Sequence, residues 1–210
     1  MPRFDAVQFE KNVFINCPFD SRYESLLRAL LFSILYFGFN PKISSERSDS
    51  AEQRIDKICE LISTSKYSIH DLSRLRSGKK NELARQNMPF ELGIDYGSRR
   101  FAKGHFKQKR FLVLEKEQFV YSEALSDLGG VDIKKHDDLP AEIIRAVRNW
   151  FYETVLLRPL DPPSKIYSAF LDFMGDFDSN RKLEGFVGDD IYKMPTSEFI
   201  TYISEWLKTR

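Results

Sequence analysis

The segment "NVFINCPFDSRYESLLRALLFSILYFG" (residues 12–38) decides the fold, because it joins a short apolar run directly to an amphipathic stretch. Its first part, "NVFINCPF" (12–19), has the length and the apolar character of a central strand. Ser21 and Glu24 then have the spacing of a capping box, and Gly38 is suited to end the helix that they begin. The segment therefore predicts a buried β-strand followed at once by an α-helix.

The same alternation of apolar runs and helical patterns continues along the chain. Further strands are predicted at "PKISSE" (41–46), "YSIHDLSR" (67–74), "KRFLVLEKE" (109–117) and "VDIKKH" (131–136). Helices are predicted between and after them, beginning near Ser50, near Asn87 and at Leu139. Such alternation is typical of a parallel sheet that is covered on both faces. We therefore predict a three-layer α/β fold with a mostly parallel sheet of four or five strands.

The C-terminal part of the chain is predicted to be a separate, smaller unit. "RPLDPPS" (158–164) is rich in proline and is typical of a linker. The prediction is an α/β domain over residues 1–157, then a Pro-rich linker and a C-terminal helical extension over 158–210. Because about fifty residues form only a small core, we expect the extension either to pack on the α/β domain or to form a surface for a partner.

Composition limits the classes of function. The 210 residues include 32 Lys and Arg against 31 Asp and Glu, a formal net charge of +1. That balance argues against nucleic-acid binding over the whole surface and leaves local basic patches open. Cys17 and Cys59 are expected to be reduced and buried, as in a cytoplasmic protein. The longest uncharged run, "ALLFSILYFGF" (29–39), is about half of the ~20 residues of a membrane span, so no membrane association is expected.

Two common kinds of site find no support in the sequence. The three histidines are too scattered to indicate a metal site. The chain also has neither of the Gly-rich phosphate-binding motifs, so ordinary Rossmann and P-loop nucleotide binding are not indicated.

Polar residues follow the predicted strands at their carboxyl ends, where open α/β sheets bind ligands. The candidate binding residues at these ends and at the next helix start are Asn16, Phe19, Asp20, Ser45, Glu46, Asp71, Ser73, Arg74 and Asn87. Because parallel strands share one carboxyl edge, we expect these side chains to converge there. His70 is expected to point away from this edge. Asp71 is either a second carboxylate of the site or a turn cap.

Glu91 is the candidate catalytic residue. It lies in "RQNMPFELGIDYG" (85–97), where Asn87 and Pro89 indicate a helix start, and it is therefore expected in the first helical turn. The helix N-terminus favours its ionised form, while neighbouring apolar side chains remove water from it. A carboxylate of this kind is able to bind a ribose diol or to stabilise an oxocarbenium-like transition state. The alternative is that Glu91 only complements the helix dipole, a contribution of about 0.3–1 kcal/mol.

The run "ARQNMPFELGIDYG" (84–97) resembles the motif of the bacterial TIR-like family, and "VFINCPF" (13–19) resembles the opening strand and first loop of that family. The resemblance extends over about residues 12–117. It implies a flavodoxin-like fold and cleavage of the nicotinamide–ribose bond of NAD, with Glu91 as the catalytic acid and NAD as substrate rather than cofactor. Asn16, Phe19 and Asp20 would hold the dinucleotide. The resemblance also suggests an effector of bacterial defence that stays inactive until oligomerisation or a partner assembles the site.

The same fold group includes nucleoside deoxyribosyltransferases, which have an aspartate six residues before the glutamate and a Gly-Thr pair between the two. This chain has Arg85 and then Asn87-Met88 at those places, which disfavours a deoxyribosyl transfer. A nucleotide-sensing module without turnover and a self-associating adaptor stay open as alternatives.

A basic segment follows the Glu91 motif. "SRRFAKGHFKQKR" (98–110) contains six Lys or Arg residues among two Phe and a His. The pattern favours a solvated connection between helix and strand. The alternative is that the segment binds the phosphates of a nucleotide or nucleic acid, since aromatic side chains beside cations are typical of proteins that bind single strands. Nucleic acid is not the partner that we expect.

Overall fold

A computed structural model of the chain describes residues 5–76, 86–118, 120–128 and 131–210. Its sheet has five strands in the order β2-β1-β3-β4-β5, and all neighbouring strands are parallel. The strands are β1 (Asn12–Asn16), β2 (Asn40–Ile43), β3 (Tyr67–Asp71), β4 (Arg110–Glu115) and β5 (Ile133–Lys135). The predicted α/β class and the parallel sheet are confirmed, and the strand order is compatible with a flavodoxin-like arrangement.

Helices connect and follow the strands. They are α1 (Ala6–Lys11), α2 (Glu24–Tyr36), α3 (Arg54–Ser63), α4 (Asn87–Phe101), α5 (Val120–Ala124), α6 (Pro140–Trp150), α7 (Pro163–Leu183), α8 (Gly188–Tyr192) and α9 (Thr196–Lys208). Short 3-10 turns occupy Ser44–Glu46, Gly104–Gln108 and Ser126–Leu128, and a π-helical turn, Phe151–Leu156, extends α6. None of the helices in the described ranges has both the length and the apolar character of a membrane-spanning segment.

The helices form layers on the two faces of the sheet. Successive side chains of a strand point to opposite faces, and β1 follows this rule. Ile15 packs into the core formed with α2 and α6, whereas Phe14 packs against Ile58 and Ile62 of α3. Since both faces of β1 are covered, all five of its residues are buried. This explains the continuous apolar run with which the fold begins.

The C-terminal helices pack on the α2 layer, which was one of the two expectations for them. Phe32 of α2 contacts the rings of Phe170 and Phe173 of α7, with centroids 5.5 and 5.7 Å apart. Trp206 of α9 lies 6.0 Å from the same ring. The side chains of α7 and α9 thus share one hydrophobic core with β1 and α2.

The Pro-rich segment is tied to the layer beneath it. The hydroxyl of Tyr36 donates to Asp161 at 2.7 Å, and burial together with this carboxylate raises the pKa of Tyr36 to about 12. Arg148 of α6 donates to the carbonyls of Leu160 and Asp161, both at 3.0 Å. The segment predicted as a linker is therefore anchored to α2 and α6.

Three local predictions are wrong. The capping box of Ser21 and Glu24 does not form, because Glu24 pairs instead with Arg28 at 2.7 Å and α2 begins without a side-chain cap. Cys59 is exposed rather than buried, since it lies on the face of α3 that is turned away from the sheet. Glu91 is the fifth residue of α4 and so lies beyond the first turn.

Candidate functional site

The carboxyl edge of the sheet brings β1, β3 and the start of α4 together at the point where the strand order reverses, which is where sheets of this type bind ligands. Asn16 and His70 are register partners at the ends of β1 and β3, and both are buried. The side-chain amide of Asn16 contacts Nδ1 of His70 at 3.0 Å and donates to the carbonyl of Met88 at 2.8 Å. Asn16 therefore fixes the first turn of α4 against the sheet instead of facing solvent.

Glu91 lies at this edge, almost removed from solvent. It is 4% exposed, and its carboxylate pairs with the guanidinium of Arg54 at 3.2 Å. The Arg54 side chain is 55% exposed and lies over the ring of Phe19, 5.9 Å from its centroid. A half-exposed cation thus pairs with a buried carboxylate and lies against a half-exposed aromatic ring. Arg54 was not among the predicted site residues.

The electrostatics of Glu91 differ from the expectation. Burial raises the pKa of Glu91 above its ordinary value, and the charges of Arg54 and His70 only partly offset this effect. The helix N-terminus was expected to favour the ionised form, but its influence falls off within the first turn, which Glu91 does not occupy. Phe90, one of the apolar neighbours of Glu91 in the sequence, is exposed to solvent. The ionised carboxylate therefore carries a cost of desolvation at this position.

Cys17 directly follows β1 at this edge of the sheet. Its thiol is buried, and its pKa is raised well above the ordinary value, first by burial and then by the charges of Asp71, Glu91, Glu24 and Asp20. Three of these four carboxylates, those of Asp71, Glu91 and Asp20, belong to predicted site residues. A thiol in this environment stays protonated and is a poor nucleophile.

Asp71 belongs to a second buried network, on the α2 side of the sheet. Tyr23 donates to Asp71 at 2.6 Å, the main-chain nitrogen of Ser73 donates to it at 2.9 Å, and His136 contacts it at 3.0 Å. Burial opposes ionisation, but hydrogen bonds from His136, Ser73 and Tyr23 hold the pKa of Asp71 below its ordinary value. Asp71 is fully buried and holds the loop after β3, as a turn cap does.

Ser73, His136 and Asp71 resemble the composition of a nucleophilic triad, but their hydrogen bonds do not match one. Nδ1 of His136 accepts from the main-chain nitrogen of Asp138 at 3.1 Å, so the neutral ring carries its proton on Nε2. That nitrogen lies 2.8 Å from the hydroxyl of Ser73, which itself donates to Asp71. Because a general base must accept the proton of the nucleophile, this arrangement supports the loop and does not activate Ser73.

His70 begins a third network, behind Glu91. It faces α4, where its Nε2 contacts Asp95 at 3.1 Å, and Asp95 pairs with Lys109 at 3.1 Å. All three side chains are fully buried. Burial opposes the charge on Asp95, but His70 and Lys109 hold its pKa below the ordinary value. His70 lies buried at this edge between Asn16 and Asp95, and Lys109 is fully buried rather than part of a solvated connection.

The remaining predicted residues are placed in two groups. Asp20 and Arg74 pair at 3.2 Å, and Arg74 also approaches Asp138 at 3.6 Å, so they bridge the loops after β1, β3 and β5. Asn87, the first residue of α4, is exposed to solvent. These three residues border the edge that carries Glu91.

Ser45 and Glu46 are engaged elsewhere. Ser45 bonds to Thr196 at the start of α9, with the hydroxyl oxygens 3.0 Å apart. Glu46 accepts from the nitrogen of Ile43 at 2.6 Å and lines a cavity of 270 Å³ that also includes Asn12, the first residue of β1. Neither side chain is seen in contact with the group around Glu91.

Cavities of 270, 140 and 370 Å³ are formed by the described residues, and Glu91 lines none of them. Residues 77–85, which precede α4, lie outside the described residues, and with them Arg85. Within the described ranges, no group of three His, Cys, Asp or Glu side chains is arranged to hold a metal ion.

Comparisons with protein-family models, with curated proteins and with solved structures found no match for this chain.

Proposed function

We propose that this protein hydrolyses the N-glycosidic bond of NAD or a related nucleotide, with Glu91 as the catalytic carboxylate. In this proposal the five-stranded sheet is flavodoxin-like and TIR-like, as the resemblance of residues 84–97 to the TIR-like motif suggests. The same resemblance suggests a regulated effector of bacterial defence that becomes active on self-association or on contact with a partner.

One observation carries the proposal. Glu91 is a carboxylate that is 4% exposed, at the strand-order reversal of a parallel sheet, with a raised pKa and a half-exposed arginine as its ion-pair partner. A buried acidic group with a perturbed pKa at such an edge is a candidate for catalysis. Because the site contains little water, the charge of Glu91 acts more strongly on a nearby cation than it would at the surface.

The chemistry needs one carboxylate. The bond between C1′ of the ribose and the nicotinamide nitrogen breaks, and its electron pair moves to the nitrogen, which thereby becomes neutral. The ribosyl centre develops positive charge, which the ionised Glu91 stabilises. A water oxygen then bonds to C1′, and its proton passes to solvent. Since the leaving group needs no proton, the full engagement of Asp71 by Tyr23, Ser73 and His136 does not obstruct this reaction.

The experiment measures free nicotinamide by chromatography after incubation of the protein with NAD, over a range of protein concentrations. We expect release that is lost in Glu91→Gln and retained in Glu142→Gln, a control on the outer side of α6, where Glu142 pairs with Arg145. If Glu91→Gln releases nicotinamide as fast as the unmodified protein, the assignment of Glu91 is wrong.

The Arg54–Glu91 pair favours a second candidate, a nucleotide-sensing module without turnover, because the carboxylate is already engaged by Arg54. That function predicts NAD that stays intact for hours while it stabilises the protein. A ligand at a hundred times its dissociation constant adds about 2.7 kcal/mol to the free energy of unfolding. An adaptor without a nucleotide site predicts no such stabilisation by any nucleotide.

A further inference from the structure

A groove at the far end of α4 combines cations with an aromatic ring. It is lined by Tyr96, Arg99, Arg100 and Lys107 and has a volume of 370 Å³. We call it the basic groove. It belongs to the basic segment that the sequence singled out and that the proposed function does not use. Arg99 follows Glu91 by about two helical turns, a displacement of ~12 Å along the helix axis at ~1.5 Å per residue.

The described residues around the groove do not neutralise its charge. The chain has no Asp or Glu between Tyr96 and Leu114, and the described residues of the lining include three cations and no carboxylate. In the described part of the protein, none of these three cations forms an ion pair. Lys107 instead donates to the carbonyl of Arg100 at 2.7 Å, and the guanidinium of Arg99 lies 5.7 Å from the ring of Phe111.

Complementing the helix dipole accounts for only part of this arrangement. Cations at the last turn of a helix stabilise it by about 0.3–1 kcal/mol, and the contact of Lys107 with the Arg100 carbonyl fits that role. It does not account for Tyr96, which is about half exposed and lines the groove. Phe101, the last residue of α4, follows Arg100 in the sequence, and its side chain is 84% exposed.

We propose that the basic groove binds a single strand of nucleic acid. Its cations contact successive phosphates and Tyr96 stacks on a base, the combination by which single strands are held without sequence preference. A strand fits better than a mononucleotide, because Lys103 and Arg110 extend the carboxylate-free segment on either side of Lys107. The proposal is independent of the reaction proposed for Glu91.

The test measures the anisotropy of a fluorescent 20-nucleotide oligo(dT) and of oligo(rU), titrated with the full chain at 50–200 mM salt. Each neutralised phosphate contributes about −0.7 to the slope of log K against log salt for a single strand. Three groove cations therefore predict a slope of about −2. The double variant Arg100→Gln/Lys107→Gln is expected to reduce the slope to about −0.7. Tyr96→Ala is expected to weaken binding by about 5- to 150-fold.

Two controls make the result specific. Lys182→Gln/Lys193→Gln removes two exposed cations of the C-terminal helices and should leave binding unchanged. Circular dichroism and the melting temperature confirm that each variant folds. Binding of either oligonucleotide with the expected slope and loss supports the proposal. The proposal is overturned if neither oligonucleotide binds at 50 mM salt, if the groove variants bind as the parent does, or if ATP displaces the strand at equal phosphate concentration.

Discussion

Replacing Lys109 by methionine tests whether the buried charges behind Glu91 are a structural pair. Lys109 and Asp95 are fully buried with their charged atoms 3.1 Å apart, and Lys109 also donates to the carbonyls of Ile62 and Ser65. Methionine keeps the length of the side chain but leaves Asp95 without its cation. Breaking a buried ion pair from one side costs about 3–5 kcal/mol, a large part of the ~5–15 kcal/mol by which domains are stable.

The double variant Lys109→Met/Asp95→Asn separates the loss of the pair from the loss of packing. Removing both charges is far less costly than leaving one of them buried. The double variant should therefore be more stable than Lys109→Met, with a coupling energy of about 0.5–3 kcal/mol. Because Lys109 is one of the groups that lower the pKa of Asp95, that pKa should rise in Lys109→Met, and the loss of stability in this variant should be largest near neutral pH. The difference in stability between Lys109→Met and the parent should become smaller as the pH falls and Asp95 takes up a proton.

Urea unfolding followed by circular dichroism measures these differences, with the m-value as a check that the transition is unchanged. Lys182→Met is the matched control, because Lys182 pairs with Asp178 on the exposed side of α7. It should cost no more than about 0.5 kcal/mol. A loss below about 1 kcal/mol in Lys109→Met, well short of the cost of breaking a buried pair, would refute the reasoning.

Three further predictions concern the other networks and the core. Glu91→Gln should have a melting temperature no lower than that of the parent at pH 7, measured by calorimetry. The reason is that burial raises the pKa of Glu91. Its contribution to stability is therefore present below its ordinary pKa and is lost as the pH rises through the raised value. Asp71→Asn should lower the free energy of unfolding, measured in urea near neutral pH, by about 1.5–3 kcal/mol. Burial raises the pKa of Asp71, but His136 and Ser73 lower it more, so that the pKa lies below its ordinary value. The difference in stability between Asp71→Asn and the parent should therefore shrink as the pH falls through this lowered pKa. Phe173→Ala should cost about 3–5 kcal/mol in the same assay, since Phe173 is buried between α2 and α9; a loss under about 1 kcal/mol, far below that range, would contradict its place in the core.

The strands were predictable because burial on both faces leaves a continuous apolar run. The runs around Phe14 and Leu112 are of this kind, and both lie in central strands as expected. The edge strand β5 was predictable from its length and its position in the chain, although two of its residues are only partly buried and Lys135 is exposed. The helices that cover the sheet were also predictable, because each pair of neighbouring parallel strands needs a crossover connection, which is usually a helix.

The contacts of the site could not be predicted from local patterns. His136 reaches Asp71, and Lys109 reaches Asp95, only because the sheet brings distant strand ends together. Arg54 begins α3 and gives no sequence signal that it would lie on Glu91. The turn occupied by Glu91 depended on where α4 begins, and helix ends are the least certain part of a sequence-based assignment.

The packing of α9 on α2 has a consequence for synthesis of the chain. Arg28, near the start of α2, donates to the carbonyl of Ile191 at 2.9 Å, and Phe32 lies against Trp206 of α9. Because α2 precedes α9 in the chain, the ribosome makes the apolar side of α2 before it makes the side chains of α9 that cover it. Contacts between such distant parts of a chain form slowly, and uncovered apolar surface promotes aggregation in the interval. The apolar side of α2 is therefore open to such contacts until α9 has been synthesised.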